Sequence, residues 1–235
     1  MKKILCSLVI ASMSLMPAVQ AFAYELPANT IAVTGKGVVT AKPDIAEINM
    51  SIVTNDKDAS KAQQKNNDIY NKACAALKAS GIKAEDIKST WYYVYPERDY
   101  EKTNEVTGYR VENNFCVKTN DRDNTGKYID EALKAGVTGV DGVSFSVENP
   151  QYYYNSALKL AVANAQASAE TLAKAVGAGN IKVYSMEEQS NRYSYATSNA
   201  MMKEEAYDIS AGGQTEISYD DIEITASINA VYSYQ

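Results

Sequence analysis

The chain has no histidine among its 235 residues, and it has only three cysteines and one tryptophan. Without histidine, a protein lacks Ser-His-Asp and Cys-His nucleophile systems, histidine general bases, and the most common zinc and copper ligand. No uninterrupted apolar run reaches the roughly 20 residues that a membrane helix needs. The spacing of the carboxylates marks no catalytic pair either. The sequence therefore predicts no enzyme activity, no catalytic residues, no metal site and no cofactor.

The N-terminus has the features of a secretory signal peptide. Lys2 and Lys3 precede an apolar run from Ile4 to Met16, and small residues follow up to Ala21-Phe22-Ala23. This order of a basic, an apolar and a small-residue segment predicts cleavage after Ala23, so that residues 1–23 are removed. We expect an exported protein that is periplasmic, associated with the cell envelope or secreted, with no stable membrane span after cleavage.

The chain is acidic, with 23 Lys and Arg against 29 Asp and Glu and a net charge of −6. The predicted signal peptide carries two of the lysines and no acid, so the remainder has a net charge of −8. Nucleic acids and anionic membrane surfaces both favour basic partners, and we therefore expect no nucleic-acid partner. Residues 24–235 are enough for one domain with a full hydrophobic core.

Three segments have the apolar spacing of amphipathic helices, and each ends at a glycine that leads into a strand. The first begins after Asp56 or Asp58 and ends at Ser80-Gly81; the second runs from Asp123-Asn124 to Gly136; the third begins at the cap Asn149 with Pro150 and ends at Gly177. Asparagine and aspartate side chains cap helix N-termini, and proline is tolerated at the first helical position.

The predicted strands alternate apolar and polar residues, as Ile222–Tyr232 does, which indicates one buried face for each strand. We predict an α+β fold in which a largely antiparallel sheet of about seven strands carries three helices on one face. The opposite face is polar and meets either water or another copy of the protein. The stretch 189–219 has no clear period, and we predict a mobile loop there.

A set of short motifs follows the same order along the chain. These motifs are Ile31-Ala32-Val33-Thr34-Gly35-Lys36-Gly37, Pro43-Asp44-Ile45-Ala46, Gly81-Ile82 with Asp86-Ile87, Tyr95-Pro96, Gly108-Tyr109-Arg110, Gly142-Val143-Ser144-Phe145 and Val231-Tyr232. Together they resemble the SIMPL-domain family of exported bacterial proteins, which includes relatives linked to oxidative stress and relatives that resemble outer-membrane antigens. The chain departs from the family pattern at Ile217–Asp221, where relatives usually carry a Pro-Gly-Glu type of turn.

The resemblance implies an exported α+β domain that assembles into ring-like or larger homo-oligomers in some relatives, and it implies no catalytic residues. We therefore expect an exported, non-enzymatic, self-assembling domain with a role in envelope integrity or oxidative-stress tolerance. The alternative is an extracellular binding module whose tyrosine-rich surface holds a glycan, a peptide or a small ligand.

Aromatic side chains form two clusters that are candidates for either role. Trp91, Tyr92, Tyr93 and Tyr95 lie on one predicted strand, and Tyr152, Tyr153 and Tyr154 lie at the start of the third helix. Because strand residues alternate between faces, Trp91, Tyr93 and Tyr95 share one face of their strand and Tyr92 lies on the other. We expect one of these two sets to pack in the core and the other to lie on the surface. The candidate subunit or ligand contacts are Tyr92, Arg110, Tyr152, Tyr153 and Tyr154.

Two further features leave alternatives open. Gly35-Lys36-Gly37 lacks the other glycines and the immediate helix of a phosphate-binding loop, so we expect a bend or bulge in the first strand. Arg110 either pairs with a neighbouring carboxylate, contacts another subunit or binds an anion. Cys74 and Cys116 would be permitted to form a disulfide after export, although their predicted positions favour two unpaired thiols.

Overall fold

The computed structural model describes residues 29–99, 104–189, 198–199 and 215–235. The predicted signal peptide lies outside these ranges, as do residues 190–197 and 200–214 of the predicted loop. Along the chain the elements are β1 (Thr30–Ala41), β2 (Ile45–Asp56), α1 (Ala59–Ala79), β3 (Ile87–Arg98), β4 (Val106–Thr119), α2 (Thr125–Lys134), β5 (Gly139–Ser146), α3 (Pro150–Ala175), β6 (Ile181–Glu188), β7 (Ser198–Asn199) and β8 (Ile222–Tyr234).

The helix boundaries follow the predicted capping residues. The Asp58 carboxylate accepts a hydrogen bond from the Lys61 backbone N–H at 3.1 Å, which satisfies one free donor of the first turn of α1. At α3 the Asn149 side chain accepts from the Tyr152 N–H at 3.2 Å. Gly81 has φ +110°, a left-handed backbone that lets the chain leave α1 without steric strain. The helix starts and ends predicted from sequence are confirmed.

The strands are antiparallel and form two sheets. The large sheet has the order β3-β4-β2-β5-β7, and the small sheet has the order β1-β8-β6. Helices α1 and α2 pack on the large sheet, whereas α3 packs on β1 and β8 of the small sheet. The predicted α+β class with antiparallel strands is confirmed. The strands expected in one sheet are divided between two, and the chain passes from the small sheet to the large sheet in the short link between β1 and β2.

The core of the large sheet lies under α1 and α2. Alternate residues of β2 and β4 face these helices and are buried, among them Ile48, Met50, Ile52, Phe115 and Val117. The intervening residues, such as Glu112 and Cys116, lie on the opposite side, which we call the open face. This alternation is the one that the sequence predicts for strands with one buried side.

Helix α3 approaches the small sheet unusually closely at Gly35 and Gly37. A Cβ atom built on Gly35 would lie 2.0 Å from the Ala161 carbonyl oxygen, and one on Gly37 would lie 1.9 Å from that of Ala157. The side-chain amide of Asn164 also donates to the Lys36 carbonyl at 2.8 Å. The pairing of β1 with β8 is continuous over the whole strand, so of the expected bend or bulge the bulge is absent from this strand pair. These glycines instead make room for a helix backbone.

Candidate functional site: the aromatic edge of the large sheet

Strand β3 exposes large side chains on both of its faces. Within the described residues, β3 is the outermost strand of the large sheet and pairs only with β4. Side chains from Trp91 to Tyr95 are between 38% and 60% exposed. Exposed apolar side chains on an edge strand mark a surface that can pair with another chain. We call Trp91–Tyr95 the aromatic edge.

One row of the aromatic edge lies on the open face. Trp91 and Tyr93 have nearly parallel rings, with centroids 6.0 Å apart and planes 12° apart. The Tyr95 hydroxyl donates to Glu112 Oε2 at 2.7 Å and accepts from Arg110 Nε at 3.0 Å. Arg110 lies directly opposite Tyr95 in the strand pair, which explains this contact. Arg110 is thus engaged by a tyrosine and, at 3.9 Å, by the carboxylate of Glu112.

The second row, Tyr92 and Val94, lies on the side of the helices but is not covered by them. Its partners across the strand pair, Asn113 and Val111, are both buried beneath α1. Tyr92 and Val94 are 42% and 40% exposed, because α1 covers only the beginning of β3, where Ile87 is buried and Ser89 donates to the Tyr70 hydroxyl. The expectation that one of the two aromatic sets packs in the core is therefore wrong: both are on the surface.

The three tyrosines of α3 lie in three different environments. Tyr152 is 64% exposed and meets the ring of Tyr153 edge-on at 5.3 Å. Tyr153 is half-buried and packs against the core under α3. Tyr154 is buried, and its hydroxyl donates to the Glu188 carboxylate of β6. This cluster lies over the small sheet, whereas Tyr92 and Arg110 belong to the large sheet, so the five predicted contact residues do not form one site.

Sequence reasoning missed a second cluster, in which the segment before β8 is held against α2. The Thr215 backbone N–H and hydroxyl donate to the two carboxylate oxygens of Asp130 at 3.1 and 2.5 Å. Gly126 leaves the space for this contact, because a Cβ there would lie 1.7 Å from the Thr215 carbonyl oxygen. We call residues 215–219 the strap. No periodic pattern marks the strap, and for that reason the sequence assigns it to a loop.

The strap ends at Tyr219, which is anchored by its ring and by its hydroxyl. The ring packs on Phe145 with centroids 4.5 Å apart. The hydroxyl donates to Asp123 at 2.7 Å and accepts from Arg122 Nε at 2.6 Å. Partial burial and the bond to the Asp123 carboxylate raise the pKa of Tyr219, which keeps the hydroxyl protonated as a donor. This arrangement positions a chain segment and resembles no catalytic constellation.

The cysteines and the metal-ligating side chains add no reactive centre to the described part of the chain. Cys74 packs on the helix side of the large sheet and Cys116 lies on the open face, so the two thiols are unpaired and separated by the sheet. Burial raises the pKa of the Cys116 thiol. Among the described residues, no three metal-ligating side chains come together, and no helix is long and apolar enough to span a bilayer.

Comparison with known proteins places the chain in a family. A profile described as SIMPL, a protein of unknown function (DUF541), matches residues 31–232. The 26 kDa periplasmic immunogenic protein of Brucella melitensis is 37% identical over 180 residues, covering 72% of each chain. The uncharacterized protein YggE of Escherichia coli is 31% identical over 204 residues, covering 85% of this chain and 83% of the relative. The resemblance seen in the motifs is confirmed, and the chain belongs to the SIMPL family.

Proposed function

We propose that this SIMPL-family chain is an exported, non-enzymatic domain that self-assembles and acts in envelope integrity or oxidative-stress tolerance. The observation that carries the proposal is the aromatic edge, which exposes Trp91, Tyr92 and Tyr93 on an edge strand. Aromatic side chains are enriched at protein interfaces because they bury a large area at a small cost in conformational entropy. The name of the Brucella relative, which calls it periplasmic, supports export.

The first test is the size of the exported protein. Sedimentation velocity and light scattering at micromolar concentration should give a mass that is a multiple of the single chain. The control is the triple variant Trp91→Ala, Tyr92→Ala, Tyr93→Ala, which should lower the mass because it removes most of the exposed ring area. A strictly monomeric wild-type protein at these concentrations would overturn self-assembly.

The physiological part of the proposal is tested by deleting the gene and measuring survival in hydrogen peroxide and in detergent. We expect reduced survival of the deletion strain and restoration by the wild-type gene. If assembly is required, the gene carrying the triple variant should not restore survival although the protein is exported at the same level. Equal survival of the deletion strain and the parent under both stresses would contradict the envelope and stress role.

A second candidate function is the binding of a glycan or peptide by the same aromatic row. The nearly parallel rings of Trp91 and Tyr93, with Arg110 and Glu112 beside them, combine stacking surface with polar groups. Binding on a glycan or peptide array that is lost in Trp91→Ala and kept in Tyr152→Ala would favour this function. Tyr152 is the matched control because it is an exposed aromatic residue on the other sheet.

A further inference from the structure

We propose that β3 pairs with β3 of a second copy of this chain, antiparallel and two-fold symmetric, with Tyr93 opposite Tyr93; this rests on the proposed self-assembly. A two-fold interface uses the same patch on both subunits, so the patch must be complementary to itself. The sequence of β3 meets this condition in one register, and that register can be derived from the observed pairing of β3 with β4.

Strand β3 contains a bulge between Ser89 and Trp91. Ser89 pairs with Phe115 and Trp91 pairs with Asn114, so Thr90 is an extra residue without a partner position on β4. Its hydroxyl donates to the Asn114 carbonyl at 3.1 Å. A bulge shifts the alternation of side chains by one residue. As a result Lys88, which lies before the bulge, shares the open face with residues that follow it.

The side chains of β3 on the open face therefore form a series with opposite charges at its two ends. The series is Lys88, Trp91, Tyr93, Tyr95 and Glu97, as their partners across β4 show. When two such series meet antiparallel about Tyr93, Trp91 lies opposite Tyr95 in both halves. Lys88 then lies opposite Glu97 at both ends.

These pairs are of the kinds that stabilise antiparallel strands. Directly opposed aromatic side chains and directly opposed opposite charges each favour pairing. The arrangement contains two Trp91–Tyr95 pairs, one Tyr93–Tyr93 pair and two Lys88–Glu97 pairs. A parallel arrangement would instead bring Lys88 near Lys88 and Glu97 near Glu97. Charge complementarity therefore selects the antiparallel direction.

The other face of β3 is complementary in the same register. Tyr92 lies opposite Val94 in both halves, and these are the two exposed apolar residues on that side. Pro96, which has no backbone N–H, lies opposite Ser89 near the ends of the pair, so residues Trp91–Tyr95 all keep their donors. The two large sheets would become one continuous sheet, and the exposed edge would disappear in the dimer.

Disulfide trapping tests the register directly. Tyr93→Cys, made in the full chain with Cys6, Cys74 and Cys116 replaced by serine, should form a dimer under mild oxidation. Directly opposite Cβ atoms lie about 4.5–5.5 Å apart, which is close enough to bridge with a small adjustment. The matched control is Tyr95→Cys, since two Tyr95 positions would be about 13 Å apart along the pair and beyond disulfide reach. We expect trapping at Tyr93 and little at Tyr95.

Charge exchange gives a second test that leaves the fold intact. Lys88→Glu and Glu97→Lys should each raise the dimer dissociation constant by about tenfold, because each change replaces both ion pairs with like charges. The double variant should return to within about threefold of the wild-type value. Lys182→Glu on β6, an outer strand of the small sheet, is the control and should leave the dissociation constant unchanged.

The outcomes separate this inference from the proposed function. Trapping at Tyr93 alone, together with rescue by the double variant, supports the β3 pair. An oligomeric wild type with equal trapping at both positions, trapping at neither, or no effect of the charge variants overturns the β3 pair and leaves self-assembly standing. A monomeric wild type overturns both.

Discussion

Replacing Gly37 with alanine should destabilise the protein by forcing α3 away from the small sheet. The added Cβ would lie 1.9 Å from the Ala157 carbonyl oxygen and 2.6 Å from the Ala161 backbone nitrogen. Both atoms belong to the backbone of a long helix, so no side-chain rotation relieves the overlap. The helix must move by about 1 Å to restore contact distances, and a gap of that size removes a quarter to half of the dispersion energy of nearby contacts.

The expected cost of Gly37→Ala is about 3 kcal/mol in the free energy of unfolding, at the upper end of the range for overpacked cores. For a domain of this size, that loss lowers the melting temperature by roughly 6–12 °C. Circular dichroism during thermal unfolding and urea titration should both report the loss. The control is Lys36→Ala, which alters an exposed side chain on the other face of the same strand and should cost less than about 0.5 kcal/mol. If Gly37→Ala matches that control, the close approach of α3 does not exist.

Two further substitutions and one alkylation experiment test other features of the structure. Gly126→Ala should dislodge the strap, because Thr215 occupies the space of the new methyl group. Limited proteolysis should then cut the chain near residue 215 faster than in the wild type. An unchanged rate of cleavage would argue against the strap. The pKa of Asp121 is lowered, chiefly by the hydrogen bond from the Asn124 side chain. The ionised carboxylate therefore stabilises the folded protein above about pH 4, and this stabilisation is lost as the pH falls through the lowered pKa. Asp121→Asn should therefore destabilise the protein at pH 7 and have a smaller effect near pH 2.5, as urea unfolding at both pH values would reveal. Burial raises the pKa of Cys116, so its alkylation, followed by peptide mapping, should be slow at pH 7 and accelerate toward pH 10; fast alkylation at pH 7 would contradict this.

The helices were predictable because their signals are local. Asp58 and Asn149 cap α1 and α3 at the predicted positions, and Gly81 ends α1 with the expected left-handed backbone. Each of these features depends on hydrogen bonds within one turn of the helix, so a few neighbouring residues contain all the necessary information. The alternation in β2, β4 and β8 was predictable for a similar reason, since each of these strands is covered on one side.

The partition into two sheets and the exposure of β3 were not predictable in this way. Two strands with one buried face look alike in sequence whether they belong to one sheet or to two, and only long-range pairing distinguishes them. The aromatic residues of β3 have the composition of a buried strand. Their exposure depends on the distance between β3 and α1. The pattern of residues in β3 gives no information about that distance.

Gly35 and Gly37 show the same difference between what neighbouring residues determine and what distant segments determine. At these positions the sequence by itself indicated only a bend or bulge in a strand, although it determined the helical and strand periods, the capping residues and the family motifs. Only the tertiary structure decided that the reason is the backbone of α3, which begins more than 110 residues later in the chain. Local hydrogen bonding and alternation are encoded by neighbours, whereas close packing and edge exposure depend on which distant segments meet.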